Sequence, residues 1–267
     1  MKKYWAIAKS TWQEYLAYRL NLFLEVMGGI IMMLVVIALW YTIFKGLGKE
    51  TIGDFTLAQM ITYLIGAGII NSFLWAASQG DEINDDINSG DLSNYLVKPV
   101  NVVGYWLTRD ACRKFMTFLL GVAEFIIILF FFKNFLVGPS SFIHLVLALA
   151  AIIIASLIHF IIFYLFSVIA FWLEQTWGTR FVIRVVMEIA TGSLIPLSLF
   201  PGTWQTIVNI LPFKYLVYFP LQIYLGKIPL NQISYEFLIA LAWLAAFIII
   251  GVFVWKRGVR HYAAEGR

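Results

Sequence analysis

Residues 142–173 read FIHLVLALAAIIIASLIHFIIFYLFSVIAFWL, 32 positions with no Asp, Glu, Lys or Arg. A helix rises about 1.5 Å per residue, so about 20 apolar residues cross a hydrocarbon core of about 30 Å. This stretch exceeds a simple crossing and belongs in a bilayer. Runs of spanning length bounded by charge, Gly or Pro recur on both sides of it, at residues 22–44, 57–78, 115–132, 181–200 and 235–255. The fourth of these is interrupted by Pro196, with Pro201 just beyond it. The expected fold is an all-α integral membrane protein with six transmembrane helices, a single domain over residues 1–267.

Composition agrees. The chain is 61% hydrophobic and 13% charged, with a mean hydropathy of +0.85. Soluble globular chains run at about 45–50% apolar and about 25% charged. A net charge of +4 is spread through loops, with no basic stripe for nucleic acid. A single cysteine, Cys112, excludes an internal disulfide. His144, His159 and His261 lack the i, i+3 or i, i+4 spacing that places two imidazoles on one metal, so no metal site is expected.

An even number of spans puts both termini on one side, and Lys and Arg concentrate on the cytoplasmic side. With both ends inside, fourteen basic residues face the cytoplasm, including Arg109, Arg113, Lys114 and Lys256, against Lys45, Lys49, Lys133, Lys214 and Lys227 outside. Residues 1–21 then form an interfacial helix, with Trp5, Ala8, Trp12, Tyr15 and Leu16 on one stripe and Lys9, Gln13 and Glu14 off it. An N-terminal extension of the first span is the alternative.

The inner loop, residues 79–114, is the one long polar stretch. Within it Asp81, Glu82, Asp85 and Asp86 surround Ile83 and Ile87, four apart, ahead of Gly90. This is the pattern of a short amphipathic helix ended by glycine. Its two isoleucines form a narrow apolar ridge that a membrane or a protein groove would bury, and either implies a partner. The acids lack the ligand alternation of an EF-hand loop. The outer segment, residues 194–230, holds five of the seven prolines yet stays apolar and aromatic. Broken helices dipping into the outer leaflet, with a helical hairpin over residues 194–211, satisfy its backbone.

No P-loop, His-Glu-x-x-His or Gly-x-Ser-x-Gly motif occurs, so no catalytic residues are assigned and the chain has no nucleotide-binding loop of its own. Glu25, Glu124, His159 and Glu188 fall within or at the edge of spans, where ionisable groups face protein or water. Glu124 lies about 15 Å along a helix from Lys114, near mid-membrane. It is either a cation- or headgroup-coordinating group in a path or half of an interhelical pair. Arg184 and Glu188, at i, i+4, can neutralise each other. His159, with Ser156 and Tyr164 near it, reads as a packing histidine before a proton relay.

The Tyr15-Leu16-Ala17-Tyr18-Arg19 stretch, Ile87-Asn88-Ser89-Gly90-Asp91-Leu92 followed by Tyr95-Leu96-Val97-Lys98-Pro99, and Leu211-Pro212-Phe213 through Pro220 to Gly226 carry a resemblance. Over nearly its whole length the chain resembles a permease subunit of the ABC type-2 exporters. It is most similar to the bacterial subgroup in which two different six-span permeases are encoded beside one ATPase, some with viologen or drug export suggested.

The resemblance implies that Asp81, Glu82, Ile83, Asp85, Asp86 and Ile87 form the coupling helix that docks on an ATPase. It implies no cofactor on this chain, ATP and Mg on that partner, a second permease subunit and a bacterial cytoplasmic membrane. The path would run between the two permeases along the second and fifth spans. Thr62, Gly66, Gly68, Asn71 and Ser72 on one, and Thr191, Gly192 and Ser193 on the other, suit that path or close helix packing equally. With Glu124, the aromatics Trp40, Tyr63, Trp75, Trp172 and Trp177 would tolerate an amphipathic cation, and they suit a lipid tail as well. A self-contained secondary transporter or channel relaying ions through Glu124, His159 and Glu188 is the competing class, and a lipid-modifying membrane enzyme a further one.

Overall fold

Helices account for almost all of the computed structural model, which describes residues 2–17, 19–75, 79–97, 101–173 and 177–264. Helix α1 covers Lys2–Ala17 and α2 covers Arg19–Leu47. A two-stranded hairpin follows, Thr51–Ile52 against Phe55–Thr56, turning at Gly53 with φ +61°. Then come α3 (Leu57–Trp75), α4 (Gln79–Asn88), α5 (Leu92–Leu96), α6 (Val102–Phe132), α7 (Phe142–Ser167), α8 (Trp177–Ala190), α9 (Gly202–Ile210), α10 (Tyr218–Tyr224) and α11 (Leu230–Ala264).

Among the described residues four helices are long and apolar enough to cross a membrane: Met27–Leu47, Leu57–Trp75, Phe142–Phe171 and Leu230–Tyr262. The protein is therefore a multi-pass all-α membrane protein. The third expected run forms the second half of α6, whose 31 residues also absorb the end of the inner loop. Residues 102–114 are thus helix continuous with the apolar run at residues 115–132. The Asn101 side chain starts that helix, accepting a hydrogen bond from the Gly104 amide at 2.8 Å.

The fifth expected run does not form one helix. Helix α8 has 14 residues, about 21 Å, short of the hydrocarbon thickness. It ends at Ala190, ahead of Pro196, because Gly192 turns the chain at φ +79°. The Thr191 amide bonds back to Met187 and that of Gly192 to Ile189, closing the helix end. Beyond the turn, 3-10 turns at Leu197–Leu199 and Pro212–Tyr215 alternate with α9 and α10, so the Pro-rich segment is a series of short helical pieces.

Two main apolar cores, with a small cluster of Met33, Ile37, Ile61 and Ile65 between α2 and α3, hold the described residues together. The larger joins α3, α7, α10 and the start of α11 through Tyr63, Leu64, Ala155, Ile158, Phe219 and Ile233. The smaller lies at the other end of α7, where α4 presses Ile83 and Ile87 on Phe160, Tyr164, Val168 and Phe171. Helix α1 runs beside the polar half of α6 in the same direction. Tyr4 lies against Gly104, and Tyr15 and Thr117 share a hydrogen bond of 2.8 Å. The expected stripe on α1 divides, with Tyr15 toward α6 while Trp5 and Leu16 stay exposed.

Candidate functional site

Helix α4 forms where expected, but its surroundings differ. Ile83 and Ile87 are 0% and 1% exposed, closed inside the chain's own core. This corrects the expectation that the isoleucine ridge stands open for a partner. The end of α7, Trp106 of α6 and Tyr262 of α11 cover it first. Fully burying two such side chains contributes about 1.5–3 kcal/mol each, so the ridge anchors α4 to its own spans.

Polar ties fix the helix in register. The Trp106 indole donates to the Asp86 carboxylate at 2.9 Å. The Tyr262 hydroxyl donates to the Gly90 carbonyl at 2.9 Å, just past the end of α4. Glu82 meets Arg109 at 2.8 Å and Arg113 at 3.2 Å, and Glu14 of α1 meets the same two guanidiniums at 2.8 and 3.9 Å. Two carboxylates and two guanidiniums thus join α1, α4 and α6 in one electrically balanced cluster. Burial pushes the Asp86 carboxyl above its ordinary range, with Glu82 and Asp91 adding to the effect and the Trp106 and Arg109 interactions opposing it.

Among its described side chains, α4 leaves an acid in solvent. Asp85 is exposed, and so are Ser89 and Asp91 in the turn that follows. Val97, one residue past α5, is 84% exposed and supplies an apolar group near this rim. One turn deeper on α6, Asp110 and Lys114 pair at 2.8 Å with both side chains buried, and Lys114 also donates to the Ser156 carbonyl of α7 at 3.2 Å. The cluster built on Arg109, Arg113 and Glu14 was missed in the sequence, where these residues counted only as inner charge or as the polar side of a stripe.

The candidate path residues separate into two groups. Asn71 and Ser193 line one cavity of about 200 Å³ with Gly68, Ser72 and the α2 residues Gly29 and Met33. Thr62 and Gly66 lie on the opposite face of α3. Thr62 accepts from the Val137 amide at 2.8 Å, and Gly66 is packed so closely on Leu221 that a methyl group there would meet its side chain at 2.5 Å. Thr191 is buried in the turn ending α8 and accepts the Tyr218 amide on its carbonyl. Thr62 and Gly66 also line an apolar cavity of about 180 Å³ with Leu221 and Tyr224, while Thr191 is packed into its turn.

Arg184 does not neutralise Glu188. It lies 4.6 Å over the ring of Trp75, while Glu188 is exposed and no ion pair joins the two among the described residues. The Trp75 ring thus already carries a cation of this chain. His159 is buried between Trp75 and Phe163, at centroid distances of 5.1 and 4.7 Å, and makes no contact with Glu188 among the described residues. Tyr63 is buried and donates to the Gly192 carbonyl at 2.6 Å, fixing the turn after α8. The side chains of Glu25, Asp81, Glu124, Trp177 and Arg180, and all of residues 98–100, lie outside the described residues.

The sequence pattern of a family described as ABC-2 family transporter protein matches residues 30–266, nearly the entire chain. The protein belongs to the ABC-2 transporter family. No curated protein matches it. As an ABC-2 permease it is a membrane transport component. Members of this family normally work with an ATPase subunit.

Proposed function

We propose that this ABC-2 permease is the transmembrane subunit of an ATP-driven exporter. It pairs with a second permease, identical or different, and with a separate ATPase that carries ATP and Mg. The observation that supports this most is the bracing of α4. The helix is tied to α1, α6, α7 and α11, and among its described side chains the exposed one is the acid Asp85, so force applied there reaches the spans directly.

The docking face in this reading is Asp85 and Asp91 with Val97 as its apolar contact, a small mixed patch of the kind found in non-obligate interfaces. Ile83 and Ile87, with Glu82 and Asp86, connect that face to the helices. The second permease would meet the face of α2, α3 and the turn after α8, where Asn71 and Ser193 line the cavity. The substrate class is a hydrophobic or amphipathic molecule, drug-like cation or lipid-like. The full topology is six crossings: the four long apolar helices, α6, and a broken crossing that runs from α8 through the 3-10 turn at Leu197–Leu199, with α9 and α10 re-entering the outer leaflet and both termini in the cytoplasm of a bacterial cell.

The test is copurification with the ATPase encoded beside the permease. Asp85→Lys combined with Val97→Asp should leave the permease folded, because both positions are exposed, and should abolish ATPase retention. Full retention at equal permease yield would overturn the docking assignment. A permease that never captures the ATPase, even as wild type, would overturn the exporter reading itself.

A further inference from the structure

A groove of about 590 Å³, sharing no lining residue with the α2 and α3 cavity, runs between the start of α6, the second half of α7 and the stretch of α11 from Leu244 to Lys256. Its volume is that of an ordinary small-molecule site. The floor is apolar and closed: Phe160, Ile161 and Val102 are buried. The rims are open, with Leu107, Leu157 and Val252 each exposed by a third or more.

Three features identify its occupant. Along α11 the groove runs from Leu244 to Lys256, twelve residues or about 18 Å, close to one leaflet of a hydrocarbon core about 30 Å thick. Lys256 closes the end of the groove that faces the cytoplasm in the proposed topology, and Arg260 stands one turn further on the same face of the helix. Among the described residues neither has an ion-pair partner. Finally, the Tyr164 hydroxyl lies in the groove wall on a side chain 2% exposed and has no hydrogen-bond partner among the described residues, a buried donor that a ligand oxygen would satisfy.

We infer that this groove holds an anionic phospholipid of the inner leaflet, one acyl chain against Phe160 and Ile161 and the phosphate at Lys256 and Arg260. The lipid is a resident part of the protein and is not cargo. Its placement has a mechanical consequence. Phe160 and Ile161, on which the acyl chain would lie, and Tyr164, whose hydroxyl would donate to an ester oxygen of the lipid, belong to the same core that receives Ile83 and Ile87 of α4. An acyl chain there supports the inner helix from behind. The inference uses the proposed orientation in the membrane and is independent of the exported molecule.

The experiment is native mass spectrometry of the full chain, delipidated in neutral detergent and titrated with phosphatidylglycerol or phosphatidylcholine of identical chains. Wild type should take up one phosphatidylglycerol and prefer it over phosphatidylcholine by about fivefold for each basic residue engaged. Lys256→Glu with Arg260→Glu should erase that preference while leaving some uptake of both lipids. Val252→Trp, at an exposed rim position, should fill the groove and lose both lipids with the lipid-free melting temperature unchanged. Equal affinity of wild type for the two lipids, lipid retained by Val252→Trp, or a groove covered by a second copy of the chain would each overturn the proposal. Release of the bound lipid by ATP turnover in the assembled transporter would make the groove a substrate site and also refute it. Loss of ATPase capture leaves this result untouched, so failure of the exporter reading is distinguishable.

Discussion

Replacing Arg109 with leucine removes the guanidinium that holds Glu14 and Glu82 together. The side chains of Arg109 and Glu82 are 11% and 22% exposed, and that of Glu14 is 49% exposed. Exposed pairs contribute about 0.2–1 kcal/mol, whereas stripping one partner from a fully buried pair costs about 3–5 kcal/mol. The Arg109 to Glu82 contact lies between these limits and the contact to Glu14 near the lower one. Arg113, at 3.2 Å, continues to neutralise Glu82 in part. The expected loss is about 2 kcal/mol, which for a chain of this size lowers the melting temperature by roughly 4–8 °C.

The assay is a double-mutant cycle of Arg109→Leu, Glu82→Leu and the pair, followed by thermal melting in detergent. The double variant leaves no unpaired Glu82 and should recover about 1 kcal/mol relative to the sum of the single losses. Because the cluster is mostly buried, the loss should change little between low and moderate salt. Strict additivity, or an Arg109→Leu loss below about 0.5 kcal/mol, would refute the claim that the cluster braces α4. In the exporter proposed above, Arg109→Leu should still capture the ATPase, since the proposed docking residue Asp85 is untouched, while transport per ATP hydrolysed falls.

Two further predictions concern the same core. Asp86→Asn keeps an acceptor for the Trp106 indole and removes a carboxylate whose pKa burial raises; an ionised group of this kind opposes folding above its folded-state pKa and ceases to do so below the ordinary carboxylate range. The variant should therefore melt at or above wild type at pH 8, with any advantage shrinking as pH falls through the raised pKa, as melting curves across pH would check. Gly258→Ala drives a methyl group into the ring of Phe171 where α11 crosses the end of α7, and should cost about 1–3 kcal/mol, read as a lowered melting temperature.

The long spans were legible because a charge-free apolar run of 20 or more residues has few other homes. Helix ends were harder. Pro196 and Pro201 are visible breakers, yet α8 ends earlier, at Thr191-Gly192-Ser193, where Gly192 takes a positive φ that Tyr63 secures from 129 residues away. The hairpin at Thr51–Ile52 and Phe55–Thr56 carried its own signal, Gly53-Asp54 between β-branched and aromatic residues, too short to stand out beside the apolar runs. Ile83 and Ile87 announced that α4 needs a cover. Nothing local says whether that cover is the chain's own α7 or another protein. The charge cluster shows the same limit: Arg109 and Arg113 at i, i+4 mark a basic face, but their partner Glu14 is 95 residues away.

The two kinds of contact around α4 have different effects. Burial of Ile83 and Ile87 is non-directional, so alone it would let the helix rotate or slide on α7 with little penalty. The Asp86 to Trp106 bond and the Glu82 to Arg109 and Arg113 pairs leave one face of α4, one turn apart, and end on α6, while the Tyr262 to Gly90 bond ties the adjoining turn to α11. Three such ties remove the freedom to roll that an apolar contact leaves. A helix held this way passes displacement to α6 and α11 instead of absorbing it, which a coupling element requires. The acids that looked like the rim of a partner interface therefore divide between two roles. Glu82 and Asp86 fix the helix inward, and Asp85 stays exposed, free for the docking role proposed above.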